Sequence, residues 1–143
     1  MQEADFQRIV HFIREHHLLT LSTVHNNRPY SCSAFYSFNA QEVCFIVASD
    51  MTTQHIRNVR HNSSVAVNIA LETDEVGKIQ GVQCHGSMAQ LDQETLKRDY
   101  FKAFPYARVM RPVLWKITIE WMKLTDNRLG FGTKIIWKRA LSE

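Results

Sequence analysis

Hydroxyl, amide and imidazole side chains stand where a buried strand gives way to a helix. An apolar run over 43–48 ends at Ser49, and the polar residues Thr53, Gln54 and His55 follow within one turn. The start of a helix presents unpaired N–H groups and a positive dipole end, which many phosphate sites use. Hydroxyls add donors, and an imidazole adds a donor that becomes cationic at lower pH. We interpret this segment as a candidate phosphate site; a capped helix that binds nothing is the alternative.

A second candidate lies between two strand-like, aromatic-rich runs, in the segment Thr125–Lys134 with the sequence TDNRLGFGTK. Its glycines, Gly130 and Gly132, let the backbone pass close to a ligand, and Arg128 and Lys134 can pair with negative charge. The segment is also longer than a plain hairpin requires. It is therefore a candidate binding loop, and a solvated loop whose glycines only satisfy positive φ is the alternative.

A third feature is the strict alternation of residues 30–38, which predicts a strand with Ser31 and Ser33 on one face. We expect a small barrel to bring this strand beside the helix start at 49–55. Alternating serines are also typical of any half-exposed strand, so this face supports the candidate phosphate site without establishing it.

Composition narrows the classes of protein that the chain can be. It has 143 residues, a formal net charge of +3, three cysteines and seven histidines. The cysteines form no Cys-x-x-Cys pair and the histidines have no zinc spacing, so buried thiols and no structural metal are predicted. No apolar run approaches the roughly 20 residues that span a bilayer, and the amino terminus is polar, which predicts a cytoplasmic protein without a membrane segment.

The elements that must position these residues follow from periodicity. Apolar residues at helical spacing from Phe6 predict a first helix, and a stripe from Leu96 to Phe104, capped by Asp92, predicts another. The expected order is helix, three strands, short helix, two strands, helix and two strands, and Gly81 and Gly86 mark bulges or tight curvature. These elements predict a single domain over residues 1–143. Its expected class is α+β, mainly β: a barrel of about six to seven antiparallel strands with two to three flanking helices.

Five segments together resemble the uncharacterised YhbP family, which belongs to the pyridoxamine phosphate oxidase-like, FMN-binding split barrels. They are Pro29–Tyr36 (PYSCSAFY), Thr53–His55 (TQH), Gly81–Gly86 (GVQxxG), Phe104–Arg108 (FPxAR) and Thr125–Lys134 (TDNxLGFGxK). The resemblance covers nearly the whole chain, and the last segment is its most specific part. It implies a split barrel, in agreement with the element order read from periodicity.

The resemblance also implies a homodimer with two FMN sites at the subunit interface. By analogy, Ser49, Thr53, Gln54 and His55 would hold the FMN phosphate, while the strand with Ser31 and Ser33 would run along the ribityl chain and ring. The loop 126–134, with Asn127 and Lys134, would close over the ring or its substrate face. Flavin members of the superfamily have Arg and Lys where this chain has Gln54 and His55, which predicts modest affinity for FMN or a different ligand.

The function implied is that of an FMN-dependent oxidoreductase acting on an unknown small molecule, with no catalytic side chain identified. A tryptophan among Trp115, Trp121 and Trp137 could supply an aromatic wall for the ring. The alternatives are a non-catalytic flavin- or heme-binding protein and a nucleic-acid-binding small barrel. Against the last stand the low net charge and the absence of an RNP or Gly-x-x-Gly signature.

Overall fold

The computed structural model describes residues 3–130 and 132–141, and its elements follow the predicted order. The helices and strands are α1 (Glu3–Glu15), β1 (Leu18–His25), β2 (Arg28–Asn39), β3 (Cys44–Ala48), α2 (Gln54–His61), β4 (Ser64–Ala70), β5 (Gln80–Gln90), α3 (Glu94–Ala103), β6 (Leu114–Asp126) and β7 (Lys134–Lys138). Short 3-10 turns lie at Val76–Lys78, Pro105–Met110 and Asn127–Leu129.

The seven strands form one antiparallel sheet that closes over only part of its length. The strand order is β3-β2-β1-β4-β5-β6-β7, and β3 also pairs with β6. The first part of β6 up to Thr118 pairs with β3, whereas Trp121–Thr125 pairs with β7 on the same edge. Six strands therefore close a barrel at one end, and β6 leaves it toward β7 at the other. The predicted α+β split barrel is confirmed.

Gly86 makes this change of partner possible. The pairing of β5 with β6 shifts between His85 and Gly86, opposite the point where β6 parts from β3. A Cβ atom on Gly86 would collide with the backbone carbonyl of Thr118, so only glycine allows the two strands to approach this closely. The bulge predicted at Gly86 is confirmed.

Arg139 ties the two sides of the split together. Its Nε donates to the carbonyl oxygen of Ile119 at 2.9 Å, and its Nη2 donates to the carbonyls of Glu42 at 2.8 Å and Val43 at 3.1 Å. Val43 holds a φ of 52°, which is rare for a β-branched residue. The Val43 carbonyl also accepts from Ile119 N, so hydrogen bonds from two segments fix this strained residue.

The core explains why β3 is apolar throughout. One face of β3 joins the barrel interior, where Ile9, Phe12 and Ile13 of α1 also pack. The other face joins a second cluster with Leu96 and Tyr100 of α3. Both helical stripes and the strand covered on both faces are therefore confirmed, while the predicted Asp92 cap is wrong. The residue before α3 is Gln93, and its side chain makes no capping hydrogen bond.

None of the helices in the described ranges is both long and apolar enough to cross a membrane. Cys44 and Cys84 are buried and Cys32 is half-buried, and burial raises the pKa of all three thiols. The prediction of buried thiols is confirmed for Cys44 and Cys84, whereas Cys32 is only partly buried.

Candidate functional site

Three of the predicted phosphate-site side chains meet at the start of α2. His55 Nε2 lies 2.8 Å from Ser49 Oγ and 3.4 Å from Thr53 Oγ1. Thr53 is the N-cap, and its Oγ1 accepts from Ile56 N at 3.4 Å. Burial lowers the pKa of His55, so the ring is mostly neutral at pH 7. The result is a cluster of two hydroxyls and one imidazole at the positive end of a helix.

The barrel holds this cluster in place through the end of β3. Ser49 N donates to the Val113 carbonyl at 3.0 Å, and the Ser49 carbonyl accepts from Trp115 Nε1 at 3.0 Å. Trp115 is a core residue on β6, only 3% exposed. The position of Ser49 is thus set by a buried strand on one side and a buried tryptophan on the other.

Asp50 opposes anion binding at the same place. Its Oδ1 accepts from both Thr52 N and Thr52 Oγ1 at 2.8 Å, and these hydrogen bonds lower the pKa of the Asp50 carboxyl. The side chain is exposed and ionised at neutral pH. It introduces a negative charge and occupies two donors that a phosphate could otherwise use.

Gln54, also predicted for the phosphate site, is engaged in hydrogen bonds within the protein. Its Nε2 donates to Asn58 Oδ1 at 2.7 Å, and Asn58 Nδ2 donates to Thr23 Oγ1 at 3.0 Å. On the solvent side, Arg57 Nη2 donates to Gln54 Oε1 at 3.4 Å. These residues form a polar chain from the surface to the buried Thr23, and Gln54 is one link in it.

A cavity of about 670 Å³ lies beside this chain and contributes a cation that the motif did not indicate. Gln54 and Asn58 line it together with Arg28 and Tyr30 at the start of β2. The two-residue turn Asn26–Asn27, with φ of 52° and 63°, sets where β2 begins. Arg28 is therefore placed near the helix start. The two-residue turn directly before Arg28 is the feature of the sequence that could have predicted this position.

Ser31 and Ser33 lie apart from the cluster at Ser49, on the outer face of the sheet. Ser31 Oγ is 3.0 Å from Ser22 Oγ on β1, and Ser33 is opposite Thr20. The strand β2 approaches α2 through Pro29 and Tyr30, which share the cavity with Gln54. The two serines thus belong to an exposed sheet surface.

The candidate binding loop is anchored by Asp126. This carboxylate accepts from Arg128 N and Nε at Oδ1 and from Arg128 Nη2 at Oδ2, at 2.9–3.1 Å. The Arg128 guanidinium holds the pKa of Asp126 below its usual range. Asn127 Nδ2 donates to the Val76 carbonyl at 3.0 Å, and Lys134 is exposed at the start of β7. Phe131 of the same motif lies outside the described residues.

A cavity of about 470 Å³ separates this loop from α1. Both charged and apolar side chains line it, among them Arg8, His11, Phe12, Leu124, Arg128 and Leu129. Leu129 is 52% exposed, so the apolar wall of this cavity is open to solvent. The side chain of Asp126 is only 10% exposed, so the loop is fixed from below.

The cluster at Ser49 and the loop at Asp126 stand at opposite ends of β6. Ser49 is next to Val113, just before β6, and the loop follows its last residue. The strand has 13 residues, which corresponds to roughly 40 Å. One nucleotide-sized ligand therefore cannot reach both regions of the same chain.

The outer face of the sheet carries an exposed histidine next to a half-buried tryptophan. On it His85 and Trp121 lie with ring centroids 4.8 Å apart, beside the small residues Ser22 and Ala66. Of the tryptophans considered as a wall, Trp115 is in the core and Trp137 packs against Phe6. Over residues 3–130 and 132–141, His, Cys, Asp and Glu side chains form no group of three or more suited to a metal ion.

Comparison with known proteins first identifies the class of protein to which the chain belongs. Residues 6–126 match the family model described as pyridoxamine 5'-phosphate oxidase. A UPF0306 protein of Serratia proteamaculans is 35% identical over 137 residues, covering 94% of this chain and 95% of that protein. UPF0306 protein YhbP of Salmonella arizonae is 33% identical over 137 residues, with coverage of 94% and 93%. The chain belongs to the uncharacterised UPF0306 (YhbP) family within the pyridoxamine 5'-phosphate oxidase-like fold.

Solved structures with the same fold have diverged far in sequence. A heme binding protein from Mycobacterium smegmatis superposes with a TM-score of 0.79 at 12% identity. The match covers 96% of this chain and 59% of that longer one. A FAD-binding protein from Mesorhizobium loti gives a TM-score of 0.69 at 15% identity, with coverage of 81% and 88%. The fold is therefore shared by proteins described as binding a flavin and by others described as binding heme.

Proposed function

We propose that this protein binds FMN and acts as a flavin-dependent oxidoreductase on a small molecule. The observation that carries the proposal is the cluster of Ser49, Thr53 and His55 at the start of α2. Its hydroxyls, imidazole and helix amides suit a phosphate, and a flavin is supported by the protein of the same fold from Mesorhizobium loti that is described as FAD-binding.

The residues present fit the phosphate group of FMN by their donor chemistry. The Ser49 hydroxyl and the first-turn amides of α2 are neutral donors, and His55 can become cationic next to a dianion. Thr53 Oγ1 donates to the Asp50 carbonyl at 2.8 Å and would have to turn from it to donate to the phosphate. Arg28, at the cavity beside the helix, adds a guanidinium. Asp50 works against these groups, and Gln54 is engaged with Asn58. The donors, weighed against Asp50 and the engaged Gln54, support FMN binding of modest affinity.

The separation of the two regions along β6 favours a homodimer with shared sites. In this arrangement the start of α2 in one chain holds the phosphate, and the loop with Asn127 and Lys134 of the second chain covers the ring. Exposed apolar side chains provide surface for such an interface: Phe35 is 57% exposed, and Tyr106, Val109 and Met110 are 80% exposed or more.

Bound FMN would supply hydride or single-electron transfer at its ring. The chain's own residues would bind and orient it: the cluster at Ser49 fixes the phosphate, and the outer face with Ser31, Ser33 and Trp121 lies along the ribityl chain and ring. The loop at Asp126 would exclude water from the ring. With these roles, electron or hydride transfer at the FMN ring requires no acid or base from the protein.

Heme is the second candidate, and His85 is the observation in its favour. This imidazole is exposed on the outer face of the sheet beside Trp121 and Ala66, and it would be the residue that holds the heme iron. The M. smegmatis relative in fold is described as heme binding. Replacement of His85 by Ala should abolish heme binding and leave FMN binding unchanged, which separates the two candidates.

The proposal is tested by a visible absorbance spectrum of the purified protein, followed by calorimetric titration with FMN and separately with hemin. A flavin spectrum, or saturable FMN binding, is the expected result. Saturable hemin binding with no heat from FMN would replace the proposal by the second candidate. Sedimentation at micromolar concentration should show a dimer; a stable monomer that still binds FMN would contradict shared sites.

A further inference from the structure

The strand β7 lies at an edge of the sheet. It is last in the strand order, and within residues 3–130 and 132–141 it pairs only with β6. An edge strand presents a row of unpaired backbone N–H and C=O groups, on which another chain can form a strand. The open side of β7 therefore offers backbone groups to an extended segment.

Hydrogen bonds at both ends of β7 show which of its backbone groups are free. Asp126 N donates to the Thr133 carbonyl at 3.2 Å, and Arg139 N donates to the Glu120 carbonyl at 2.9 Å. In an antiparallel ladder, residues that hydrogen-bond to the neighbouring strand alternate with residues whose N–H and C=O groups point away from it. The odd-numbered residues over 133–139 therefore bond to β6, and the backbone groups of the even-numbered residues point to the open side.

The side chains of the odd-numbered residues fix β7 to the fold. Ile135 and Trp137 pack against the barrel core, and Trp137 lies on Phe6 of α1 with ring centroids 5.9 Å apart. Directly after the strand, Arg139 bonds to backbone carbonyls on both sides of the split. The helix α1 thus lies on a face of β7, and the strand is held extended with its edge open.

The even-numbered residues of β7 give the open edge its side chains. Lys134 and Lys138 are exposed, and Ile136 between them is 46% exposed. Lys123 lies opposite Ile136 on β6 and adds a third cation to the same face. In the part of the chain that the structure describes, no carboxylate forms an ion pair with these three lysines. Their charge is therefore complementary to an acidic partner.

A second copy of the chain does not match this edge. Antiparallel pairing of two β7 strands about Ile136 would place Lys134 of each chain opposite Lys138 of the other, and like charges directly opposite each other are destabilising. Lysines on edge strands prevent self-pairing of this kind. The same lysines favour a strand that carries carboxylates at the opposing positions.

We propose that β7 binds an extended acidic segment of a partner protein as an added antiparallel strand. A β-branched apolar residue of the segment would lie opposite Ile136, and a carboxylate two residues away on each side would pair with Lys134 and Lys138. This interaction goes beyond the proposed flavin function, because it uses the backbone edge of β7. Since Lys134 also belongs to the candidate binding loop, the variants that test the proposal leave it unchanged.

The test uses the peptide acetyl-Thr-Glu-Thr-Val-Thr-Glu-Thr-amide, titrated into the full-length ¹⁵N-labelled protein and followed by NMR. Saturable shifts are expected at the amides of Ile136 and Lys138. A methyl group on the Val nitrogen, which removes an N–H that faces β7, should abolish saturable binding. A methyl group on the nitrogen of the Thr after Val, whose N–H points away, should leave the affinity unchanged. No saturable shift, or equal affinity of the two methylated peptides, would overturn the proposal.

Charge reversal tests the register and direction of the added strand. Lys138→Glu should weaken the peptide about tenfold, and Lys in place of the first Glu of the peptide should restore binding to this variant. Lys102→Glu, the same charge change on α3, is the control and should leave binding unchanged. Equal weakening by both variants would mean attraction by net charge alone and would overturn the proposal.

Two further measurements separate this edge from other interactions. Shifts of the β7 amides that depend on protein concentration, without peptide, would assign the edge to a second copy and contradict the proposal. FMN titration of Lys138→Glu should match that of the wild type, so the β7 edge and the flavin site can fail independently.

Discussion

The two ends of β6 use polar side chains in opposite ways. At the start of α2, Ser49, Thr53 and His55 contact one another and are fixed by a buried strand and a buried tryptophan. At the far end, Asp126 holds only the base of a loop whose Leu129 and Arg128 face an open cavity. We call the first region the rigid end, because its side chains contact one another and are fixed by the barrel. We call the second region the adaptable end, because the side chains of Arg128 and Leu129 are more than half exposed.

Among the predicted substitutions, replacement of Gly86, which allows β5 and β6 to approach closely, should have the largest effect on stability. In Gly86→Ala the new Cβ would meet the carbonyl of Thr118 in the backbone of β6, which cannot move without breaking the barrel. We expect the free energy of unfolding to fall by about 3 kcal/mol or more, and both regions to be lost together. Urea denaturation measures this fall.

Gly77→Ala is the matched control, because a Cβ at Gly77 has no atom within 4 Å. It should change the free energy of unfolding by no more than about 0.5 kcal/mol. If Gly86→Ala and Gly77→Ala proved equally stable, the position of β6 would not depend on its close approach to β5 at Gly86. The regions at the two ends of β6 would then not depend on this contact.

Next in size is the effect of removing the donors at the rigid end. Thr53→Ala with His55→Ala should raise the Kd for FMN about 10- to 100-fold, because two hydrogen bonds to a charged phosphate are lost. The fold should persist, with a loss of about 1 kcal/mol from the missing cap. Calorimetric titration with FMN and thermal unfolding measure the two effects.

A matched control for this double variant is Thr95→Ala with His17→Ala, which removes the same two side-chain types at exposed positions. It should leave FMN affinity unchanged. Unaltered FMN affinity in Thr53→Ala/His55→Ala itself would remove the phosphate assignment and with it the proposed contrast between the ends.

The sequence predicted the rigid end better than the adaptable one, for a physical reason. The contacts of Ser49, Thr53 and His55 are local in sequence, and strand-to-helix periodicity is enough to bring them together. The strands and the bulge at Gly86 were also predictable, because alternation and glycine placement are local signals.

The remaining contacts depend on tertiary packing, which one sequence does not reveal. The ion pair of Arg128 with Asp126, only two residues away, forms because the loop turns back on itself, and Arg128 still lines the cavity beside α1. Gln54 points to Asn58 and Thr23 because α2 lies against β1. The sequence predicts a cap at Asp92, but the residue before α3 is Gln93, one position later.

A smaller effect is expected from the carboxylate that opposes the phosphate. Asp50→Asn removes the negative charge and keeps an oxygen that can accept from Thr52 N and Oγ1. FMN affinity should rise about three- to tenfold at low ionic strength, and less at high salt. Asp74→Asn, in the exposed loop before β5, is the charge-matched control and should have no effect. Weaker binding by Asp50→Asn would mean that the charge orders the donors.

The lowered pKa of Asp50 makes this effect independent of pH near neutrality. The group stays ionised until the pH falls through its folded-state pKa, which is below the usual value near 4. The stability that its hydrogen bonds contribute is thus present above the unfolded-state pKa and lost in acid. The gain in FMN affinity caused by Asp50→Asn should therefore be the same at pH 6.5 and pH 8.

His55 should take up a fraction of a proton when FMN binds. Burial lowers its pKa in the free protein, and a neighbouring phosphate raises it again. Before binding, its neutral form contributes stability above the unfolded-state pKa near 6.5, and this stability is lost as the pH falls. At pH 6.5, uptake should amount to about a few tenths of a proton.

The proton uptake is measured by FMN calorimetry in two buffers with different ionisation enthalpies. His55→Gln keeps a donor but cannot titrate, so it should lack this uptake, while protons exchanged by FMN itself are common to both proteins. Equal uptake by wild type and His55→Gln would place the phosphate away from His55.

The smallest expected signal tests whether the two ends serve one site across two chains. A chain with Thr53→Ala/His55→Ala is mixed with a chain carrying Arg128→Ala/Lys134→Ala, and subunits are exchanged. Random pairing makes about half of the dimers mixed, and each mixed dimer with shared sites has one site with neither defect. About a quarter of all sites should then bind FMN with wild-type affinity. If both ends of a site came from the same chain, no mixture would contain an intact site, and the titration would show only the two weakened affinities.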